Sequence, residues 1–136
     1  MDSPNLSERL SARRIPAPEE DADAFDDCGA YACLRGARER GVMIDFRFLN
    51  GNREAFPYAT LERVTYDPSE GLTLRFYGVR VSLRGRNFAA VPAAGASLLD
   101  AIHRHRVPWI REVEELRGKF LPADAVVVTR IEIREN

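Results

Sequence analysis

Cysteine, histidine, tryptophan and lysine are all scarce in this 136-residue chain: two cysteines, two histidines, one tryptophan, and Lys119 as the sole lysine. Two cysteines cannot build a disulfide framework. The sequence also opens without a basic segment leading into an apolar stretch, so Cys28 and Cys33 are expected to be reduced thiols in a cytoplasmic compartment. No apolar run approaches the roughly 20 residues that a membrane-spanning helix needs, and no membrane partner is expected. Cys28 and Cys33 are spaced too loosely for a zinc pair, and His103 and His105 too tightly for His-x₃₋₅-His, so no metal site is expected. Cys33 reads instead as a small buried hydrophobe, and the two histidines as residues near a helix end, where a positive charge is favourable.

Catalytic signatures are missing as well. The chain has no Gly-x-Ser-x-Gly, no phosphate-gripping glycine loop, no Gly-x-Gly-x-x-Gly and no His-Glu-x-x-His, and each of those chemistries depends on its residues standing at that spacing. Glu112 and Glu115 read as solvated positions on a helix, with Arg111 facing Glu115 one turn on. Trp109, beside Pro108, reads as a core anchor. The sequence therefore predicts a non-enzyme, with no catalytic residues and no cofactor.

What the chain does have is an uneven charge. Residues 1–28 hold eight acids (Asp2, Glu8, Glu19, Glu20, Asp21, Asp23, Asp26 and Asp27) against three arginines, a net of −5; residues 29–136 carry +4. The acidic stretch contains Pro4, Pro16 and Pro18 and few large apolar groups, too little to offset the entropy of ordering it. It is expected to be a mobile acidic leader over 1–28, followed by a single domain over 29–136.

Alternation supplies the fold class. Leu72, Leu74 and Phe76 fall on one side, Gly78 resets the phase, and Val79, Val81 and Leu83 resume it, as a half-buried β-hairpin requires. Val42, Ile44, Phe46 and Phe48 form an earlier strand that runs into Asn50-Gly51, a strong hairpin signal. A two-residue turn there sets Arg47 opposite Glu54, whereas a bulged turn puts Phe56 and Tyr58 on the core face; the sequence leaves both registers open. A second strand is predicted over 53–66, broken, bulged or held at an edge by Pro57. Asp67, Pro68 and Gly71 mark the next turn.

Tyr31, Leu34 and Ala37 suit a short helix over 30–40, stopped by Gly41. Ser97 caps a second helix carrying Leu98, Leu99 and Ile102. Residues 107–117 read as a helix (Pro108 first, then Ile110, Val113 and Leu116) or as a strand, with the helix preferred. Val127, Thr129, Ile131 and Ile133 form a closing strand. Together these predict an α+β fold: one strongly bent antiparallel sheet of about five strands, a small barrel or half-barrel, flanked by short helices.

The pointed functional clue is on the hairpin's outer face. A turn centred on Tyr77-Gly78 sets Arg75 opposite Arg80, and directly opposed like charges destabilise a sheet. Arg84 and Arg86 extend the stripe, and Tyr77 adds an aromatic surface. Relief could come from an anionic partner, from the acidic leader, or from Glu62 or Asp45 on neighbouring strands. Arg84, Gly85, Arg86 and Asn87, closing a hydrophobic strand before Phe88, also resemble the second signature of Sm-like proteins. That resemblance covers residues 30–90, and Phe56 to Leu61 lacks the Asp and Asn of the family's first signature. It implies a small bent-sheet barrel, ring assembly, and single-stranded RNA contacts from Arg84 and Asn87. Strands followed by one helix near 97–104 are similar, too, to pleckstrin-homology-like binding modules.

The function expected from the sequence is a non-catalytic intracellular interaction module whose partner is a protein or a second copy of itself. Nucleic acid is the alternative partner. Its candidate anion-binding residues are Arg75, Tyr77, Arg80, Arg84, Arg86 and Asn87.

Overall fold

The first hairpin turns at Asn50-Gly51, and its register decides which aromatic side chains meet the core. In the computed structural model, which describes residues 24–36, 38–91 and 96–136, Gly51 takes a left-handed backbone at φ +94°. The Gly51 N–H donates to the Phe48 carbonyl at 3.0 Å and the Phe48 N–H to the Asn52 carbonyl at 2.8 Å. This three-residue loop sets Arg47 opposite Arg53 and Ile44 opposite Phe56. The bulged register is adopted, because it sends Phe56 inward to stack on Phe76 at 5.0 Å; a one-residue slip would turn the strand's other face to the core.

Among the described residues, nine strands and two short helices run in the order β1 (Phe25–Asp27), β2 (Ala32–Leu34), β3 (Met43–Arg47), β4 (Arg53–Pro57), a 3₁₀ turn (Tyr58–Thr60), β5 (Leu61–Asp67), β6 (Gly71–Phe76), β7 (Val79–Arg86), α1 (Leu98–His103), β8 (Trp109–Arg111), α2 (Glu115–Lys119) and β9 (Val127–Glu135). They form three sheets: the β1-β2 ribbon, a three-stranded sheet in the order β4-β3-β8, and a four-stranded sheet in the order β5-β6-β7-β9. The fold is mostly β with few short helices. The single bent sheet of about five strands is thus replaced by several, and among the described residues none closes into a barrel. Pro57 explains part of this difference. It has no N–H to continue the ladder, the chain bends through the 3₁₀ turn behind it, and the strand expected over 53–66 is divided between two sheets.

Two further expectations are corrected. No helix forms among the described residues of 30–40. Ala30, Tyr31, Ala32 and Cys33 are all buried, the Leu34 N–H donates to Arg106 O and the Arg111 N–H to Ala30 O, and Gly36 sits at φ +90°, where a right-handed helix cannot continue. Residues 107–117 do not form one helix either. Trp109–Arg111 pairs parallel to β3, with Asp45 beside Trp109 and Arg47 beside Arg111, and α2 begins only at Glu115.

The core lies between the two larger sheets. Phe46 of β3 and Phe56 of β4 meet Phe76 of β6, and Leu72, Leu74, Val81 and Leu83 are fully buried beside them. Helix α1, capped by the Ser97 hydroxyl accepting from Asp100 N–H at 3.1 Å, adds Leu98 and Ile102. Two buried tyrosines fasten the segment that carries it: the Tyr31 hydroxyl donates to Ala96 O at 3.0 Å and that of Tyr58 to Val107 O at 2.7 Å. Cys33 is buried at 4% exposure, as expected of a small hydrophobe, and Trp109 is an anchor at 7%.

Residues 1–23 lie outside the described residues. The end of the expected leader is ordered as β1, which pairs with β2 and sets the Phe25 ring edge-on to Trp109 at 6.3 Å.

Candidate anion-binding face

Two-residue periodicity sends Leu72, Leu74 and Phe76 into the core, so Thr73 and Arg75 must point the other way. Gly78, at φ +77°, closes the Tyr77-Gly78 turn and sets Arg75 directly opposite Arg80, as the sequence predicts. On the far side of β6, the Asp67 carboxylate accepts from both Ser69 N–H and Ser69 Oγ at 2.8 Å. The turn so held keeps an unbroken register back to Arg63, which it sets opposite Arg75, and the bulge comes only beyond it, between Leu61 and Arg63. Strand β9 then sets Arg134 opposite Arg80. Four arginines therefore stand in one row across four strands, all exposed. With adjacent strands about 4.8 Å apart, the row spans roughly 14 Å.

The next row along the strands is Thr65, Thr73, Ser82 and Glu132. Arg63, Thr65, Thr73, Arg75 and Arg80 together line a shallow depression of about 220 Å³. Beyond it Arg84 stands opposite Arg130.

Among the described residues, Arg63, Arg75 and Arg80 form no ion pair. Glu132 engages Arg130, and Arg134 at 3.7 Å. Hydrogen bonding to Arg130, with the charges of Arg130, Arg134 and Arg84 around it, holds the Glu132 carboxyl below the usual carboxylate range. Asp67 is likewise lowered, by its hydrogen bonds to Ser69. The face is cationic, and its positive end is the Arg63–Arg75–Arg80 part of the row.

The six candidates read from the sequence separate into two groups. Arg75, Arg80 and Arg84 share the outer face, Arg84 reaching Glu70 at 3.1 Å, and Tyr77 is 79% exposed in the adjoining turn. Arg86 and Asn87 are used elsewhere. Arg86 Nη2 donates to Leu121 O and Pro122 O at 3.2 and 2.9 Å. Asn87, left-handed at φ 65°, donates through Nδ2 to Ala123 O and Ala125 O at 2.9 and 2.7 Å. The Arg-Gly-x-Asn turn is therefore a clamp on the loop before β9, with its amide hydrogens already engaged.

Arg63, Arg130 and Arg134 belong to the face and were not among the candidates. Arg63 was legible in principle, since pairing across the Asp67-Pro68 turn brings it near Arg75; β9 gives no local sign of the strand it joins.

Of the carboxylates expected to relieve the arginines, Glu19 to Asp23 lie outside the described residues, Glu62 forms no ion pair among the described residues, and three others pair elsewhere. Asp45 is on the other large sheet, paired with Arg47 at 3.2 Å and Arg53 at 2.6 Å. Of the acidic leader, Asp26 pairs with Arg35 at 2.8 Å and Asp27 with Arg111 at 3.8 Å. Arg111, and Arg47 with it, also lies over the Trp109 ring at 4.7 Å.

Other chemistry-bearing side chains have structural occupations. Glu112, expected on a solvated helix face, accepts from Leu49 N–H and Ile131 N–H at 2.9 Å and ties three segments together. Cys28 borders a cavity of about 700 Å³ among Leu49, Val113, Leu121 and Val126, where burial raises its thiol pKa. His105 stacks on Tyr58 at 4.5 Å. Among the described residues no group of three or more His, Cys, Asp or Glu is placed to hold a metal ion, and no helix is long and apolar enough to cross a membrane. No protein-family model, curated protein or solved structure matches this chain.

Proposed function

We propose that this protein is a non-catalytic binding module that holds an anionic partner on the outer face of the β5-β6-β7-β9 sheet. The observation that carries the reading is the row Arg63–Arg75–Arg80–Arg134. Each directly opposed like-charge pair costs a sheet a few tenths to about 1 kcal/mol, and the row contains three in succession. A partner bearing negative groups turns that cost into attraction. In this reading the two larger sheets act as an open half-barrel, with the partner on one outer wall and the aromatic core keeping that wall stiff.

Inorganic polyphosphate tests it. A ligand at a hundredfold excess over its Kd stabilises the folded state by about 2.7 kcal/mol, several degrees in Tm for a domain of this size. The expected result is a rise in Tm that shrinks with added salt and is absent in Arg75→Glu/Arg80→Glu. No rise in the wild-type protein overturns the reading.

A second reading, a protein partner or self-association, is favoured by one observation. Helix α2 leaves Leu116 65% exposed and Phe120, the residue that caps its C-terminus, is 83% exposed, and the Asn50-Gly51 turn leaves Leu49 54% exposed. A shift to a smaller sedimenting species in Phe120→Glu would support self-association; a monomer in both forms retires it.

A further inference from the structure

We infer that the anionic partner is single-stranded nucleic acid, with its phosphodiester backbone crossing β5, β6, β7 and β9 along the arginine row. The inference rests on the function proposed above and narrows it to one class of polyanion. Linearity is the first support. A lone phosphate or a single headgroup meets two neighbouring guanidinium groups, whereas a chain of phosphates engages Arg63, Arg75, Arg80 and Arg134 together.

The floor beside the row is the second support. Thr65, Thr73 and Ser82 place neutral hydroxyls next to the cations, where they can bond phosphate and sugar oxygens. The same row lacks the apolar side chains that would enter a lipid surface.

Tyr77 is the third. It is 79% exposed in the turn that follows β6, two residues after Arg75, and it offers its ring to a flat apolar partner. An unpaired base presents such a surface and stacks on aromatic side chains; a duplex keeps its base faces covered, and an acidic peptide has no equivalent plane. The face is a four-stranded sheet, broader than the single helix or two-stranded ribbon that a major groove admits. Every base has a face that can stack on Tyr77, so binding is expected to be tolerant of base sequence.

The test is fluorescence anisotropy on the full chain with a labelled mixed-sequence RNA of about 12 nucleotides, a length of the order covered by small binding folds. The same sequence as single-stranded DNA, as duplex DNA, a polyglutamate peptide and phosphatidylserine vesicles are the comparison arms. Binding of RNA or single-stranded DNA is expected, weakening about 50-fold between 50 and 200 mM salt if four phosphates are neutralised on a single strand. Arg75→Glu/Arg80→Glu, and the milder Arg75→Gln/Arg80→Gln with circular dichroism to show an intact fold, should lose the salt-sensitive binding. Tyr77→Ala should weaken the single strands about tenfold and leave the polyphosphate-induced rise in Tm unchanged.

Equal or tighter binding of the duplex, the peptide or the vesicles overturns the inference, as does an unaltered affinity in Tyr77→Ala. In those cases a persisting polyphosphate response leaves the anion-binding reading standing. Loss of both responses in the wild-type protein overturns both.

Discussion

Arg75 and Arg80 stand directly opposite each other across the Tyr77-Gly78 turn, and neither has a carboxylate partner among the described residues. Each is also flanked on its other side by a further arginine, Arg63 and Arg134. Local sheet energetics disfavour this arrangement, and no carboxylate among the described residues pairs with either guanidinium.

Arg75→Glu turns two repulsive cross-strand pairs into attractive ones. Its expected effect is a gain of roughly 1 kcal/mol in unfolding free energy at low salt, read as a higher urea midpoint and shrinking as salt screens the charges. The same substitution should abolish the polyphosphate response. An unchanged or lower midpoint would mean that the guanidinium groups already splay far enough to ignore one another.

Asn87→Ala separates a structural role from a ligand-contacting one. Its Nδ2 bonds to Ala123 O and Ala125 O and its left-handed backbone are both lost, at a cost of about 1–3 kcal/mol. The affinity for polyanions, measured where the variant remains folded, should stay at the wild-type value. A selective loss of affinity would restore the ligand-contacting role that the Sm-like resemblance implies.

Gly85→Ala probes the seam between β7 and β9. A Cβ at this position would lie 1.8 Å from the Val127 carbonyl oxygen and 3.0 Å from the Phe88 ring, so the two strands must part. A loss of about 3 kcal/mol or more, at the upper end of overpacking costs, is expected from denaturant unfolding. Full stability in the variant would mean that the ladder beyond the Arg84/Gly85 register shift can slide without penalty.

Alkaline pH should weaken the fold through its buried tyrosines. Burial raises the Tyr58 hydroxyl pKa above the ordinary tyrosine range, partly offset by its hydrogen bond to Val107 O, and burial acts on Tyr31 in the same direction. The folded state thus holds these protons more tightly than the unfolded chain. Their contribution is fully present below the ordinary value of about 10 and is lost as pH climbs above it, when the unfolded form ionises first. Tyr58→Phe, which leaves Val107 N–H and Val107 O without their partner, should cost about 1–3 kcal/mol at neutral pH. Its urea midpoint should also fall less steeply across the alkaline range, with Tyr31 supplying the remaining slope; an identical slope would remove Tyr58 from the account.

How much of this was legible in the sequence varies with the distance over which each feature is decided. The Tyr77-Gly78 hairpin, the Arg75–Arg80 opposition and the Ser97 cap each depend on residues within a few positions of one another, and the structure contains them as read. Residues 30–40 misled because spacing of three is also found in a strand buried on both sides; Ala30 to Cys33 are buried throughout, which erases the alternation that would have marked β2. Residues 107–117 misled because a three-residue strand is too short to carry a period. Arg86 and Asn87 looked like part of the basic stripe, yet the bulge at Arg84/Gly85 turns the chain toward the loop before β9.

The sequence by itself determined the local grammar of this protein: alternating apolar faces, glycine where the backbone must turn left-handed, a proline that ends one strand, and an acidic stretch set apart from a basic remainder. Only the tertiary structure decided that β8 would lie parallel to β3, that residues 53–67 would serve two sheets, and that β9 would add Arg134 to a row begun by Arg63. Turns and caps are settled by the conformational preferences of adjacent residues. The pairing of distant strands is settled by which apolar faces can be buried together, and in this chain Phe46, Phe56 and Phe76, brought together from three strands, are what that burial joined.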